Sequence, residues 1–171
     1  HNIPFIRDVI REKRFKEGRL TTNYIPEQYP NGFTHVKLTS DERLKLAAIT
    51  AQMDLARQEK IASSGDGSEE MENELYVVIE KQAYKVVVDP ETGATTVQGP
   101  DSRKAVPVEI QACEWPTDAP IARVQIDNKA IPVQYHARIP SGYRLQMFGA
   151  TLDIHVRNPR EQALAKFMLE K

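Results

Sequence analysis

One run of 25 residues, Leu38 to Ala62 (LTSDERLKLAAITAQMDLARQEKIA), limits this chain's fold more than any other. Thr39 or Ser40 can cap a helix there, and Glu42 stands three residues after Thr39, as a capping box requires. The residues beyond the cap are rich in helix formers and free of Gly and Pro, which predicts a rod of about 35 Å. Leu44, Ala48, Ala51 and Leu55 make one apolar stripe, and Leu46, Ile49, Met53 and Ala56 a second beside it. Ala47 widens the apolar surface. Charges collect at the tips: Asp41, Glu42, Arg43 and Lys45, then Arg57, Glu59 and Lys60. A rod apolar around its middle and charged at both ends needs other structure around it. Gln52 and Asp54 interrupt it too much for a membrane span.

From Glu74 onward the period falls to two. Leu75, Val77 and Ile79 alternate with Tyr76, Val78 and Glu80, and a second strand covers Ala83 to Val88. Asp89-Pro90-Glu91-Thr92-Gly93 is a turn, Ala94 to Gln98 a third strand. Val106, Val108, Ile110 and Ala112 form a fourth, where Pro107 marks an edge or a bulge. After Trp115-Pro116-Thr117-Asp118 come Ala122, Val124 and Ile126, and a tight hairpin at Asp127-Asn128-Lys129. Ile131, Val133, Tyr135, Ala137 and Ile139 follow, then Tyr143, Leu145 and Met147, then Leu152, Ile154 and Val156. These are eight strands with short connections and one apolar face, the pattern of an antiparallel meander that closure into a barrel would free of edges. The helix is the other element long and apolar enough to cover that face. The predicted fold is therefore α+β: an eight-stranded antiparallel β-barrel wrapped around one long central α-helix. A C-terminal helix follows, with Asn158 as cap, Pro159 in its first turn, Glu161 completing the box, and Leu164, Phe167, Met168 and Leu169 on its apolar side.

Residues 1–33 read differently. Pro4, Phe5, Val9, Ile6 and Ile10 predict a short amphipathic helix. Arg7, Arg11, Lys13, Arg14, Lys16 and Arg19 form a basic run diluted by Asp8, Glu12 and Glu17, which reads as a solvated face rather than a nucleic-acid patch. This segment has apolar residues and no strands to pack on, so it is expected to belong to a core whose remainder lies elsewhere. The chain starts at His1 rather than Met and its last helix has no stop signal at Lys171, as expected of a piece of a longer parent. Residues 63–73 (SSGDGSEEMEN) predict a flexible acidic loop, in which Asp66, Glu69, Glu70 and Met71 are candidate partner contacts. The formal charge of −1 gives no field directed at nucleic acid or an anionic membrane. The single cysteine, Cys113, favours a reducing compartment, and no secretory signal is visible.

Catalytic chemistry is hard to place. His136 and His155 stand at polar positions of nearby strands, and Asp153 could join them at a metal, but exposed histidines are the simpler reading. Cys113 has no local basic partner to lower its pKa. There is no Gly-x-Ser-x-Gly turn, no Gly-rich phosphate loop and no pair of carboxylates in an apolar setting. Trp115 and Tyr143 are candidate interface anchors, with ordinary packing at a barrel rim as the alternative. No catalytic, cofactor-binding or metal-binding residue is assigned.

Residues 2–25 carry a resemblance. Asn2-Ile3-x-Phe5, then Phe15-x-x-Gly18, then Thr22 and Ile25, resemble the C-terminal end of a biotin carboxylase domain. Tyr29-Pro30-x-Gly32-Phe33 and Phe167-Met168-Leu169-Glu170-Lys171 resemble α subunits of the propionyl-CoA carboxylase type, within the biotin-dependent acyl-CoA carboxylases. The helix and strands between them are similar to the BT domain of those subunits, in which a helix sits inside an antiparallel barrel. The resemblance implies a fragment of biotin carboxylase at 1–33, the BT linker and central helix at 34–62, the barrel at 63–157, and at 158–171 a helix leading to a biotinyl domain. It implies a non-catalytic connector docking on a carboxyltransferase β subunit, with biotin carboxylase and biotinyl domains as partners in the parent chain. Biotin, ATP and a divalent metal are implied for that parent, in the bacterial cytoplasm or the mitochondrial matrix. No Ala-Met-Lys-Met biotin-attachment motif occurs here. The similar methylcrotonyl-CoA carboxylase leaves the acyl-CoA open. A small-ligand-binding barrel, or a hydrolase using His136 and His155, are the readings from other classes.

Overall fold

A computed structural model describes residues 3–33, 36, 38–63, 73–116, 119–165 and 167. The chain divides into two compact units, His1–Leu38 with Phe148–Ala150, and Thr39–Met147 with Thr151–Lys171.

The first unit holds α1 (Ile3–Arg11), α2 (Lys13–Lys16) and α3 (Tyr24–Gln28). Pro4 lies in the first turn of α1, where its missing N–H costs nothing. The Phe5 ring meets Tyr29 edge-on at 5.1 Å and Phe33 at 5.4 Å, and the Tyr29 hydroxyl donates to Asp8 at 2.8 Å. Phe5 and Val9 are half-buried, but Ile3, Ile6 and Ile10 are 74%, 52% and 52% exposed. The expected apolar face of α1 thus splits. Two aromatic rings cover the Phe5 stripe, and the Ile6 stripe lies one residue, about 100°, around the helix. The sequence reading missed α2, whose Glu12 side chain accepts from Arg14 N at 2.7 Å as its cap.

The second unit is a nine-stranded antiparallel sheet and two helices, α4 (Ser40–Ser63) and α5 (Pro159–Ala165). The strands are β1 (Glu74–Ile79), β2 (Gln82–Val88), β3 (Thr95–Gln98), β4 (Ala105–Val108), β5 (Ile110–Glu114), β6 (Ile121–Ile126), β7 (Lys129–Ile139), β8 (Gly142–Met147) and β9 (Ala150–Arg157), and the spatial order is β4-β3-β2-β1-β9-β8-β7-β6-β5. The predicted count of eight is corrected to nine. The run expected as one strand from Val106 to Ala112 breaks at Glu109, and its halves serve different neighbours, β3 and β6. The two edge strands are therefore consecutive in sequence, and the ladder stops at them. The sheet is a curled half-barrel rather than a barrel laddered shut.

Two further departures come from bulges. Between Ile110 and Ala112 the register on β6 shifts, so Cys113 rather than Ala112 stands opposite inward-facing Val124. Between Tyr135 and Ala137 the register on β8 shifts, which sets Arg138 opposite Tyr143 and Ala137 opposite Arg144. Directly opposed residues share a face, so each bulge exchanges the inward and outward sets beyond it.

The capping box at the start of α4 forms as the sequence requires. Thr39 N donates to Glu42 Oε2 at 2.9 Å, and Glu42 N to Thr39 Oγ1 at 3.2 Å. Six consecutive residues, Leu46 to Ala51, are each at most 1% exposed. At 100° per residue they sweep more than a full turn, so no side of the helix reaches solvent there. The contacts run to β1, β2, β3, β4 and β5. Thr50, the polar member of this run, donates its hydroxyl to Leu46 O at 2.8 Å, which satisfies it inside the helix.

The N-terminal end of α4 is tied to two hairpin tips. Arg43 pairs with Glu80 at 2.7 Å and Gln82 at 3.2 Å, and Lys45 with Asp127 at 2.9 Å. Glu80, Lys81, Asp127 and Asn128 all take positive φ, as two-residue turns of this hand demand. Glu80 and Asp127 lack the freedom of Gly there, and their ion pairs to α4 hold them in place. At the other terminus, Asn158 and Glu161 form the expected box, with bonds of 2.7 and 3.0 Å. α5 packs against β1, but Leu164 and Phe167 are 54% and 84% exposed. Met168 and Leu169, expected on the same apolar side, lie outside the described residues.

Candidate interaction surface

Asp66, Glu69, Glu70 and Met71 all lie outside the described residues, and the stems on both sides of them are fastened by hydrogen bonds. On the helix side, Ser63 Oγ donates to the Lys60 carbonyl at 2.9 Å and closes the end of α4. On the strand side, Val88 N donates to Asn73 O at 2.9 Å. Glu74 is held by Lys85 Nζ at 2.8 Å and by the Tyr76 hydroxyl at 3.1 Å. The Lys85 ammonium, and then the Tyr76 hydroxyl, hold the Glu74 carboxyl below its usual range against some desolvation. The segment 64–72 is thus bounded by a closed helix end and a braced strand start. Ile61, on the last turn of α4, is 47% exposed.

Asp54, about 14 Å back along the helix axis from Ser63, is the centre of a second constellation. The Tyr143 hydroxyl of β8 donates to Asp54 Oδ1 at 2.5 Å, and Gln58 Nε2 donates to Asp54 Oδ2 at 2.7 Å. Trp115 lies edge-on to Tyr143 at 6.0 Å and tilted to Tyr135 at 5.4 Å. The indole N–H donates to Ala119 O at 3.0 Å and closes the loop after β5. Arg138, turned inward by the bulge, places its guanidinium 5.8 Å from the centre of the Tyr143 ring. The two aromatic residues singled out as interface anchors are therefore brought together, but inside the fold: Trp115 is 8% exposed and Tyr143 1%. They build the wall beneath the rim, and the exposed group of the cluster is Arg138. The sequence reading missed it because alternation counted from Ile131 puts position 138 on the outer face. Pro140-Ser141-Gly142 is visible as a turn, but nothing in the residue pattern announces the bulge.

Burial first, then the Asp54 charge and hydrogen bond, raise the Tyr143 phenol well above its ordinary 10.0, against a smaller opposing effect of Arg57. A phenol held protonated in the fold contributes stability that is fully present below pH about 10 and is lost as pH climbs beyond it. Tyr143→Phe is expected to cost about 2 kcal/mol at pH 7 through the lost hydrogen bond to a carboxylate. It should also flatten the decline of stability above pH 10, as read from denaturant midpoints between pH 7 and 12. Tyr76, Tyr84 and Lys45 are raised as well, so part of the alkaline decline should remain. An unchanged slope in the variant would contradict this assignment.

The histidine pair is not assembled. His136 Nε2 lies 3.1 Å from Gln146 Oε1, whereas His155 Nδ1 donates to Pro140 O at 3.1 Å. Gln146 lies near the far end of β8, whereas Pro140 lies in the turn that precedes its start, so the two imidazoles are held at different places. Asp153, the third residue considered with them, is gripped by Arg144 through two bonds of 2.6 and 2.8 Å. Burial raises the Cys113 thiol, which works against thiolate formation. His1 and His35 lie outside the described residues.

Comparison with known proteins gives a consistent result. A family model described as the propionyl-coenzyme A carboxylase BT domain matches residues 46–171. The chain is 28% identical over 175 residues to the propionyl-CoA carboxylase alpha chain of Ruegeria pomeroyi, covering all of this chain and 25% of that protein. It is 30% identical over 179 residues to the mitochondrial alpha chain of Mus musculus, and 27% identical over 179 residues to that of Homo sapiens. Each alignment covers all of this chain and 24% of the relative. The chain thus spans about a quarter of the length of these relatives.

Proposed function

The chain belongs to the propionyl-CoA carboxylase BT-domain family, and on that premise we propose that it is the docking module of a biotin-dependent carboxylase α subunit. In this reading residues 34–157 fasten the α subunit to a carboxyltransferase β subunit, so that biotin can travel between two active sites and propionyl-CoA can be carboxylated. Residues 1–33 are the end of a biotin carboxylase domain, and 158–171 lead toward a biotinyl domain. Biotin, ATP and a divalent metal act in the parent, whose compartment is the bacterial cytoplasm or the mitochondrial matrix. The segment itself is non-catalytic.

The observation that carries this reading is the family match across most of α4 and the whole sheet, residues 46–171. Geometry supports it. The buried run 46–51 of α4 occupies the inner side of the sheet, where a ligand-binding barrel would hold its ligand, and His136, His155 and Asp153 are each held by a structural partner. The break between the two units after Leu38 supports the division near residue 34. The braced stems around 64–72 support Asp66, Glu69, Glu70 and Met71 as contacts presented from a fixed base. Trp115 and Tyr143, being buried, enter as the frame of that surface.

Replacing 64–72 by a Gly-Ser segment in the full α subunit should abolish co-purification with its β subunit while leaving thermal stability within about 2 °C, since the replaced residues lie between intact stems. Normal assembly of the variant would remove the docking role of this loop. A methylcrotonyl-CoA carboxylase parent would assemble equally well and carboxylate a different acyl-CoA, so turnover of propionyl-CoA by the assembled enzyme settles the substrate.

A further inference from the structure

One guanidinium stands over the Tyr143 ring, and a second belongs to the helix face that bonds the Tyr143 hydroxyl. Arg138 comes from β7, where the bulge after Tyr135 turns it to the inner side of the rim. Its contact is the face of the Tyr143 ring at 5.8 Å. Arg57 comes from α4, three residues beyond Asp54 and therefore on the same face of the helix, the face on which Asp54 accepts from the Tyr143 hydroxyl at 2.5 Å. Among the described residues neither guanidinium has a hydrogen bond or an ion pair. The neighbouring acceptor, Asp54, is already engaged by Tyr143 at 2.5 Å and Gln58 at 2.7 Å.

The other cations near α4 are treated differently. Arg43 has Glu80 at 2.7 Å, and Lys45 has Asp41 at 3.0 Å and Asp127 at 2.9 Å. An aromatic floor with one unpaired planar fork over it, and a second on the adjoining helix face, suits the recognition of carboxylates, and a bulge that re-aims one side chain is a common device at such places. Arg138 is exposed and Arg57 half-buried, so the forks are reachable.

We propose that the Arg57–Arg138 rim is an interaction surface for an acidic protein segment, whose carboxylates are the missing partners of the two guanidiniums. This inference rests on the docking reading above and commits the acidic segment to the carboxyltransferase β subunit. It gives the β subunit a second point of attachment, besides the 64–72 loop, on the side of α4 that faces Tyr143.

The test uses full α subunit and β subunit, with Kd measured between 50 and 400 mM salt. Arg138→Gln should weaken binding roughly tenfold, and Arg57→Gln with Arg138→Gln more than either alone, both with a shallower salt dependence. Arg138→Lys keeps the charge and loses the fork, so it should recover the salt dependence and only part of the affinity. It also guards against a folding defect, because its cation can still cover the Tyr143 ring. Wild-type affinity and salt slope in the doubly neutralised subunit, with binding lost on replacing 64–72, would overturn the rim and leave the docking reading standing. Binding that survives both changes would overturn the two together.

Discussion

Gly142→Ala is expected to lower the unfolding free energy by about 3 kcal/mol or more, which for a chain of this size lowers Tm by about 10 °C. The reason is a collision with backbone. A Cβ built on Gly142 would lie 2.0 Å from the carbonyl oxygen of Ile154, 2.9 Å from its carbon and 2.8 Å from His155 Cα. Those atoms cannot rotate away as a side-chain tip can. They belong to β9, which also donates Val156 N to Ser141 O at 2.7 Å, so relief would mean parting the start of β8 from the centre of the sheet. The effect is one of space, because the left-handed backbone of this turn is at Ser141, with φ 57°. Gly99 is the control. A Cβ added there would have nothing within 4 Å, so Gly99→Ala should stay within about 0.5 kcal/mol of the parent. Thermal melts of the two variants decide the matter, and equal Tm values would mean that β8 and β9 do not approach as closely as described.

How much of this fold can be read from residues alone depends on which interactions are local. The start of α4 is legible because Thr39 and Glu42 satisfy each other within one turn, and the start of α5 because Asn158 and Glu161 do the same. The Asp89 turn is legible for a similar reason: its carboxylate accepts from Glu91 N at 2.8 Å and Thr92 N at 3.1 Å. The inward sets of β1 and β6 follow the period of two, with Leu75, Val77 and Ile79, and Ala122, Val124 and Ile126, all at or below 2% exposure.

The illegible features depend on neighbours distant in sequence. A bulge is set by the partner strand's register, so the alternation in Tyr135 to Ile139 still looks regular although the structure exchanges its faces midway. The break at Glu109 arises because one run of chain must serve two sheet edges; Pro107 announces the edge, which β4 is, but no residue shows where the run divides. The same limit applies to the rim. Trp115 and Tyr143 stand out by residue type and prove to be wall, while Arg138 and Arg57 look like ordinary surface cations. Family resemblance supplies something periodicity cannot, namely that this helix and sheet belong to the propionyl-CoA carboxylase BT-domain family. The roles of the individual side chains still come from their packing.

The enclosure of α4 makes the second large expectation. Ile49→Ala should cost about 3 kcal/mol, with Ile49→Val nearer 1 kcal/mol. Ile49 is 0% exposed, between Leu46 at 1% and Met53 at 0% on the same stripe. Ala is a better helix former than Ile, so a helix whose stability were local would gain from the change. A loss therefore measures the void left against the sheet. The same variant separates stability from docking. The 64–72 segment is flanked on one side by Ser63, about 21 Å along α4 from Ile49, and on the other by Asn73 and the Glu74–Lys85 pair. At a temperature where the variant is still folded, its affinity for the β subunit should equal that of the parent, although its Tm is about 10 °C lower. A variant with the parent's Tm would mean that α4 is not enclosed at Ile49. Weakened docking below the melting range would mean that the interaction surface is transmitted through the helix core instead of being set by its own stems.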